Sequence, residues 1–321
     1  MVNIRVVRAD EMEVEALTDL ALSAQQLLPV SADSASQVTI ASGIKHMSED
    51  KSNMSLVASL RKKTVGWMNL YTGMKPLCFI STWHPVIPSV SGRDKIARAL
   101  IEEAKQLVRR AGFDRLEVLF RNPDEKSNVA LRTYVDWYTS SGFGLAAEEL
   151  VMRADLSQYG TPLAPVPEGF ELVRISEVSN DELHRPFLES FLDSQDSLFL
   201  SDTRAEQERS FEEWFRRSKP YVEDSSLVLK SSGKVVGFVL VREESGSLEL
   251  GPIGTVPEFR KRGIGSALLS RCMSALRDHG FKEVFLEMST SKVPAKDLYL
   301  KHGFKEQYRQ AYYYWNPPSQ S

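Results

Sequence analysis

Short runs of alternating hydrophobic and polar residues occur in the same order in the two halves of the chain. One run covers residues 55–70 and another covers residues 226–241, and each has a polar turn between two apolar stretches. The spacing from the first serine to the glycine of the second stretch, Gly66 or Gly237, is 11 residues in both. Apolar runs joined by a polar turn are typical of β-hairpins, so a hairpin is predicted in each half.

Helical spacing follows each hairpin. Apolar residues recur at i, i+3 and i+4 from Ile264 towards Gly280 and from Ile96 towards Gly112. This spacing predicts one amphipathic helix in each half, ended by the glycine. A phenylalanine follows each of these glycines, where the next strand is predicted to start. The pattern Tyr-x-x-x-Gly-Phe then begins at Tyr138 and again at residue 299. Because three similar segments stand in the same order, the chain is predicted to contain two copies of one folding unit.

Strands and helices alternate within each copy, in the order strand, helical segments, hairpin, strand, helix, strand, helix and closing strands. This order predicts the α/β class with a central sheet in each copy. Residues 157–169 contain three prolines and two glycines without periodicity, which is typical of a linker. The predicted domains are residues 1–158 and 169–321, joined by residues 159–168.

Composition narrows the classes of function. The 321 residues carry a net charge of −3, so the general positive charge that attracts nucleic acid or anionic membrane is missing. No apolar run approaches the ~20 residues that span a bilayer, and the first residues contain no apolar signal core, so a cytoplasmic location is expected. Cys78 and Cys272 lack the CxxC or histidine spacing of a zinc site, so no metal is expected.

The segment between a predicted strand ending near Thr255 and a helix starting at Ile264 carries the clearest chemistry. It contains three basic residues, 260–262, followed by Gly263 and Gly265. Free amides at a helix N-terminus and the helix dipole bind anions, and glycines let the backbone approach phosphate oxygens. The spacing matches neither GxxxxGK[ST] nor GxGxxG, so residues 260–265 are predicted to hold a pyrophosphate in another way.

The pattern R-x-x-G-x-G in this segment resembles motif A of the GCN5-related N-acetyltransferases, the GNAT family. The second pattern of that family, N-x-x-A-x-x-L-Y-x-x-x-G-F, is matched over residues 292–304 except at its first position, where Lys292 replaces asparagine. The resemblance covers about residues 166–316. It implies acetyl-CoA as co-substrate and a mostly antiparallel mixed sheet with helices on both faces. It also implies that the fourth and fifth strands splay apart to admit pantetheine.

The resemblance also assigns a set of cofactor-binding residues on the fourth strand, the basic loop, the helix start and the second motif. They are Ile253, Gly254, Thr255, Arg260, Lys261, Arg262, Gly263, Ile264, Gly265, Ser266 and Lys292.

Acyl transfer to an amine requires a base for the ammonium, donors for the oxyanion and an acid for the leaving thiolate. Tyr299 stands where the family has the tyrosine that protonates the CoA sulfur, and a core aromatic is the alternative. Candidates for the base are Glu249 on the fourth strand and Glu287 on the fifth, with ordered water and backbone as a third option. A backbone amide near Thr255 is expected to stabilise the oxyanion. In the first copy Glu117 stands in a segment similar to that around Glu287, which leaves an ordinary strand position open for Glu287.

The first copy lacks the phosphate loop. Lys95 and Ala97 stand where the two glycines would be, and Asp94 adds negative charge there. Leu77 stands at the position expected for Glu249. This copy is therefore predicted to be a degenerate unit without cofactor, and the tandem arrangement resembles that of mycothiol synthases.

The predicted function is transfer of acetyl from acetyl-CoA to a primary amine by direct attack in the second copy, in a monomer or homodimer. The amine belongs to a small molecule or to a peptide N-terminus, and neither nucleic acid nor membrane is an expected partner. A non-catalytic acyl-CoA-binding or sensor protein and transfer of another acyl group remain alternatives. The acidic segment 191–215 either attracts a cationic amine or forms a solvated helix face.

Overall fold

The computed structural model describes residues 3–28, 37–81, 84–121, 129–216, 218–244, 247–291 and 293–318. The chain divides into two compact units, one of Met1–Ala146 with Gln310–Ser321 and one of Ala147–Arg309. None of the described helices combines the length and the apolar character needed to cross a membrane.

Within these ranges the strands alternate with helices much as the hydrophobic pattern predicts. The strands are β1 (Asn3–Arg8), β2 (Asn53–Leu60), β3 (Lys63–Tyr71), β4 (Leu77–Ile80), β5 (Arg115–Arg121), β6 (Gly144–Asp155), β7 (Phe170–Arg174), β8 (Leu227–Ser231), β9 (Lys234–Glu244), β10 (Ser247–Thr255), β11 (Glu283–Ser289) and β12 (Phe304–Trp315). The α-helices are α1 (Val14–Ala24), α2 (Gln37–Glu49), α3 (Arg93–Ala111), α4 (Val129–Ser140), α5 (Asn180–Leu192), α6 (Ser197–Ser201), α7 (Arg204–Trp214), α8 (Ile264–Asp278) and α9 (Val293–Lys301).

The first unit contains a mixed sheet in the order β1-β2-β3-β4-β5-β12. Neighbours are antiparallel except β4 and β5, which are parallel. The predicted hairpin is β2 and β3, and its alternating inward residues pack under α3. The core of this unit is rich in aromatic side chains, among them the fully buried Trp67 and Tyr138.

The second unit repeats this plan in the order β6-β11-β10-β9-β8-β7, with β10 and β11 as its parallel pair. The paired positions of β10 and β11 are Glu249 with Phe285. Beyond this point β10 shifts its register on β9 between Leu250 and Ile253, and the two parallel strands diverge. The predicted mixed α/β sheet with splayed fourth and fifth strands is therefore confirmed.

Alternation along the strands divides the second unit into two apolar layers. On β9, Val239 and Val241 face the core under α8, whereas Phe238 and Leu240 face the layer formed with α5 and α7. Because successive strand residues point to opposite faces, each face is covered by its own helices, as predicted.

The closing strand of each repeat pairs outside the half of the sequence to which it belongs. β6 precedes the predicted linker, yet its residues 149–155 pair with β11 of the second unit. Residues 310–315 of β12 pair with β5 of the first unit. The compact units therefore differ from the predicted division at residues 159–168, which follows chain order alone.

Candidate functional site

The N-terminus of α8 has the geometry of an anion site. Lys261 (φ 62°) and Gly263 (φ 84°) adopt left-handed backbone conformations that turn the chain into the helix. The first hydrogen bond at this end runs from the Ala267 amide to the Gly263 carbonyl at 2.9 Å. The amides of Ile264, Gly265 and the next residue, Ser266, therefore have no carbonyl partner within the helix and can be offered to a phosphate.

Close packing fixes this helix end on the sheet. A Cβ atom built on Gly237 would lie 2.6 Å from the Ile264 Cγ2 atom, so only a glycine on β9 lets α8 approach this closely. A Cβ atom on Gly254 would lie 2.4 Å from the Phe238 ring. The absence of side chains at these two positions therefore allows α8, β9 and β10 to pack closely beside the point where β10 and β11 diverge.

Arg260 joins the loop to the preceding helix layer. Its guanidinium group donates to the Thr255 carbonyl at 3.2 Å, to the Ser190 carbonyl at 3.0 Å and to both the carbonyl (2.8 Å) and carboxylate (2.9 Å) of Asp193. The Arg260 guanidinium group thus connects the loop to carbonyl and carboxylate groups at the C-terminal end of α5. The exposed Arg262 lies with its guanidinium 5.1 Å from the centre of the Phe259 ring.

A cavity of about 240 Å³ lies where β10 and β11 diverge. It brings together all three residues that the sequence proposes for catalysis, Tyr299, Glu249 and Glu287, with Ile253 of the predicted pantetheine strand. The remaining lining residues come from β6, β10, β11, α9 and the helical segment 187–214. They are Glu149, Phe187, Phe191, Asp196, Leu198, Phe199, Asp202, Ser210, Trp214, Leu250, Gly251, Pro252, Met288 and Ala295.

Tyr299 reaches the cavity from α9 with only 6% of its surface exposed. Burial, with a smaller contribution from the negative charge of Asp196, raises the pKa of Tyr299 above the usual phenol value of about 10. Its hydroxyl is therefore protonated near neutral pH and can act as a proton donor. The Phe304 ring contacts it edge to face at 5.8 Å between centroids.

The carboxylates at the sheet lie on one face. Leu248 and Leu250 on β10, and Leu286 and Met288 on β11, belong to the core under α8. By alternation the residue between each pair, Glu249 on β10 and Glu287 on β11, points to the opposite face, where α5–α7 pack. Glu249 is half-buried and Glu287 is exposed.

One carboxylate of this cavity, Glu149, is absent from the sequence prediction. It is 6% exposed and lies opposite Ser289 in the β6–β11 pair. The hydrophobic pattern gave no indication of its place, because β6 belongs to the first repeat and alternation does not name a partner strand. Asp196 and Asp202 of the predicted acidic segment also line the cavity, whereas Asp193 pairs with Arg260.

The predicted backbone contacts lie at the edge of the splay. Ile253, Gly254 and Thr255 pair with β9 on one side, and the β10–β11 pairing at Glu249 has already ended before them. This edge of β10 is therefore available to an extended amide-containing ligand. Lys292 lies outside the described residues.

The first unit has a helix start of the same kind but places it differently. A Cβ atom on Gly66 would lie 2.9 Å from the Ile96 Cγ2 atom, which repeats the contact of Gly237 with Ile264. Yet α3 begins at Arg93, three residues before Ile96, whereas α8 begins at Ile264 itself. In the first unit, this extra turn of α3 therefore occupies the position at which the second unit has the free amides of α8.

Side chains of that extra turn are engaged by the first unit itself. Arg93 donates to the Ile87 carbonyl at 3.2 Å and to the Leu27 carbonyl at 3.1 Å, and its guanidinium lies 4.6 Å from the Trp137 ring centre. The Asp94 carboxylate accepts a 2.9 Å hydrogen bond from the Trp137 indole. The absence of a cofactor from this unit stays a prediction, which these contacts favour.

Aromatic rings surround Tyr138, the counterpart of Tyr299. His84 is stacked on Phe120 at 4.8 Å between centroids and contacts Tyr134 and Tyr138 edge to face. Complete burial lowers the pKa of His84 to about 3, so the imidazole is neutral.

The register of the first unit also corrects two equivalences. Because Gly112 and Gly280 end corresponding helices, Glu117 corresponds to Phe285 and not to Glu287. Phe79 pairs with Glu117 as Glu249 pairs with Phe285, so the counterpart of Glu249 is Phe79 and not Leu77. The argument that Glu287 is an ordinary strand position therefore loses its basis.

Residues 188–304 match the model of the acetyltransferase (GNAT) family. The chain is 28% identical to a mycothiol acetyltransferase of Clavibacter michiganensis over 54% of its own length and 56% of the relative's. It is 35% identical to an N-alpha-acetyltransferase of Sulfurisphaera tokodaii over 26% of its own length and 58% of the relative's. The chain thus spans just over half the length of these curated relatives.

The fold is similar to that of a solved tandem GNAT protein from the clavulanic acid biosynthesis pathway. The likeness covers 100% of both chains with a TM-score of 0.57 and 16% sequence identity. Among the described residues, no group of three or more His, Cys, Asp or Glu side chains could hold a metal ion.

Proposed function

We propose, from the premise that this chain is a tandem protein of the GNAT superfamily, that its second unit transfers acetyl from acetyl-CoA to a primary amine. The observation that carries the proposal is the cavity of about 240 Å³ at the β10–β11 splay. There a buried, protonated tyrosine and two candidate bases meet the strand edge that leads to the anion site of α8.

Acetyl-CoA supplies the activated acyl group. The amides of Ile264, Gly265 and Ser266 suit its pyrophosphate, and the strand edge at Ile253–Thr255 suits its pantetheine amides. The basic side chains of Lys261 and Arg262 are exposed beside this helix end, where they add positive charge. Arg260 contributes by holding the loop against α5.

The chain's own groups account for each proton. Glu249 or Glu287 takes a proton from the ammonium, directly or through water, which frees the nitrogen lone pair. The nitrogen attacks the thioester carbon and forms a C–N bond, and a backbone amide near Thr255 stabilises the oxyanion of the tetrahedral intermediate. The C–S bond breaks when this intermediate collapses. Tyr299 donates its proton to the departing sulfur, and the second proton lost by the acylated nitrogen restores the tyrosine hydroxyl. The products are an acetamide and CoA thiol.

The test is release of CoA thiol from acetyl-CoA with a panel of primary amines and free amino-terminal peptides. The proposal expects turnover with at least one acceptor class. It also expects loss of turnover in Gly265→Leu, because a Cβ atom at this position would lie 3.1 Å from the Leu298 Cδ2 atom and a larger side chain would displace the first turn of α8. CoA binding without turnover on the whole panel would instead favour an acyl-CoA sensor.

A further inference from the structure

A buried arginine beside the cavity, Arg242, ties the end of α7 to the sheet. It lies on β9 and is 6% exposed. Its guanidinium group donates to carbonyls at the end of α7 and in the segment that follows it, at 3.2 Å to Trp214, 3.3 Å to Arg216, 2.9 Å to Lys219 and 3.1 Å to Pro220. Trp214 is the last residue of α7, and the final carbonyls of a helix have no partner within it. Arg242 therefore supplies donors and a positive charge at a helix end that favours both.

The pairing of β9 with β10 places Arg242 opposite Glu249, a candidate base. Directly opposed residues of an antiparallel pair share one face of the sheet, with about 4.5–5.5 Å between their Cβ atoms. Phe238 and Leu240, at the alternate positions before Arg242, face the layer formed with α5 and α7. Arg242 thus lies on the cavity face of the sheet and connects the end of α7 to the position opposite this base.

The fold of the first unit forms without these two charges. Counted from the glycine that the two hairpins share, the counterpart of Arg242 is Tyr71. Tyr71 is paired with Phe79, which is the counterpart of Glu249. The same strand pairing is therefore made with two aromatic residues in the first unit. Because burying an arginine costs hydration free energy that burying an aromatic residue does not, we infer that the site of the second unit, and not the strand pairing, requires Arg242.

Trp214 brings an aromatic ring to the cavity. A Cβ atom built on Gly251 would lie 3.8 Å from the Trp214 Cη2 atom, so the edge of the indole reaches β10 at the splay. Ser210, one helical turn earlier on α7, lines the same cavity. Gly251 stands on β10 between Glu249 and residues 253–255, the predicted pantetheine strand. The indole is therefore close to the point where an amine would meet the thioester.

We propose that Trp214 forms one wall of the acceptor site and that Arg242 is the positioning residue that holds this wall in place. The indole supplies apolar contact to the carbon skeleton of the amine. Arg242 acts through the main chain of Trp214 and of the segment after α7, and it fixes the wall relative to Glu249. This inference rests on the proposed function, because it concerns the acceptor half of the same cavity.

Steady-state thiol release with an acceptor that supports turnover tests the wall. Trp214→Ala is expected to raise the KM for the acceptor at least about tenfold, because an aromatic contact is lost, and to leave the KM for acetyl-CoA within about twofold. Arg242→Lys keeps the positive charge but loses the planar fork that reaches several carbonyls. It is therefore expected to raise the acceptor KM by about three- to tenfold.

A double variant separates positioning from general stabilisation. If Arg242 acts through Trp214, its replacement has no wall to displace once the indole is absent. The acceptor KM of the variant that combines Trp214→Ala with Arg242→Lys should therefore stay within about twofold of that of Trp214→Ala, whereas independent effects would multiply.

The control is Arg115→Lys, which alters a 4% exposed arginine of the first unit and should leave both KM values unchanged. Thermal unfolding shows whether each variant is folded. Where Arg242→Lys does not fold, Arg242→Gln takes its place in the comparison, because its amide keeps N–H donors for the carbonyls.

An acceptor KM within about twofold of wild type in Trp214→Ala would overturn the inference, as would an equal rise in both KM values. Multiplying effects in the double variant would overturn the role of Arg242. Failure of both Arg242 variants to fold would do the same, since it would show a purely structural role. The proposed function fails by a different result, the absence of thiol release from the wild type with every acceptor.

Discussion

Replacing Tyr299 by phenylalanine removes one hydroxyl from the cavity at the β10–β11 splay and leaves the ring in place. The ring is 6% exposed and packed against Phe304, so the loss of packing is small. We expect a stability change of no more than about 1–2 kcal/mol, the usual range for one buried polar group. CoA affinity is expected to stay unchanged, because the anion site lies on α8.

Catalysis should respond far more strongly. A positioned proton donor contributes roughly 10²–10⁴-fold, so Tyr299→Phe should lower kcat by at least about 100-fold. The assay is thiol release at saturating acetyl-CoA with an acceptor that supports turnover. Since the pKa of Tyr299 is raised by burial, wild-type kcat should show no loss from phenol ionisation up to about pH 10.

The repeat provides a matched control. Tyr138 is the counterpart of Tyr299 in the first unit and is fully buried, with its hydroxyl 3.9 Å from the Met68 sulfur. Tyr138→Phe should leave kcat unchanged. A Tyr299→Phe protein with kcat within twofold of wild type would refute the assignment, as would an equal fall in both variants.

Three further outcomes follow from the packing and the charges. A Cβ atom would lie 2.6 Å from the Ile264 Cγ2 atom at Gly237 and 2.9 Å from the Ile96 Cγ2 atom at Gly66. Both alanine variants should therefore lower the free energy of unfolding in urea by about 1–3 kcal/mol. Only Gly237→Ala should weaken CoA binding measured by calorimetry. The pKa of His84 is lowered to about 3, below its unfolded value of about 6.5, so the unfolded chain alone takes up this proton as pH falls. Unfolding free energy should therefore fall below about pH 6.5, by up to about 1.4 kcal/mol per pH unit, and His84→Gln should reduce that slope. The pH dependence of kcat/KM in Glu249→Gln and Glu287→Gln should show which residue is the base. Only the variant that lacks the base should lose the fall in kcat/KM at acidic pH, and equal profiles for both variants would favour water as the base.

The local elements and the candidate catalytic residues that line the cavity could be predicted from the sequence. Helical spacing from Ile264, the glycines at the loop and the tyrosine before Gly303 predict α8, its anion site and Tyr299, because each depends on local backbone geometry. The predicted repeat is confirmed by the two glycine–isoleucine contacts, Gly237 with Ile264 and Gly66 with Ile96.

Strand pairing was not accessible in the same way. Alternation shows that β6 and β12 are strands but does not encode which edge each one joins, because register and partner are set by long-range hydrogen bonding. Glu149 was missed for this reason. The same limit produced the wrong equivalence of Glu117 with Glu287, which the parallel register of β4 and β5 corrects.

The central claim is that one nucleotide site exists per chain, at the start of α8. Calorimetric titration of the full chain with CoA tests this most directly. We predict a stoichiometry of one CoA per chain in the wild type. We also predict loss of that binding in Gly265→Leu and its retention in Gly92→Leu, at the N-terminal end of α3 in the first unit. A stoichiometry of two, or binding that survives Gly265→Leu and is lost in Gly92→Leu, would contradict the account.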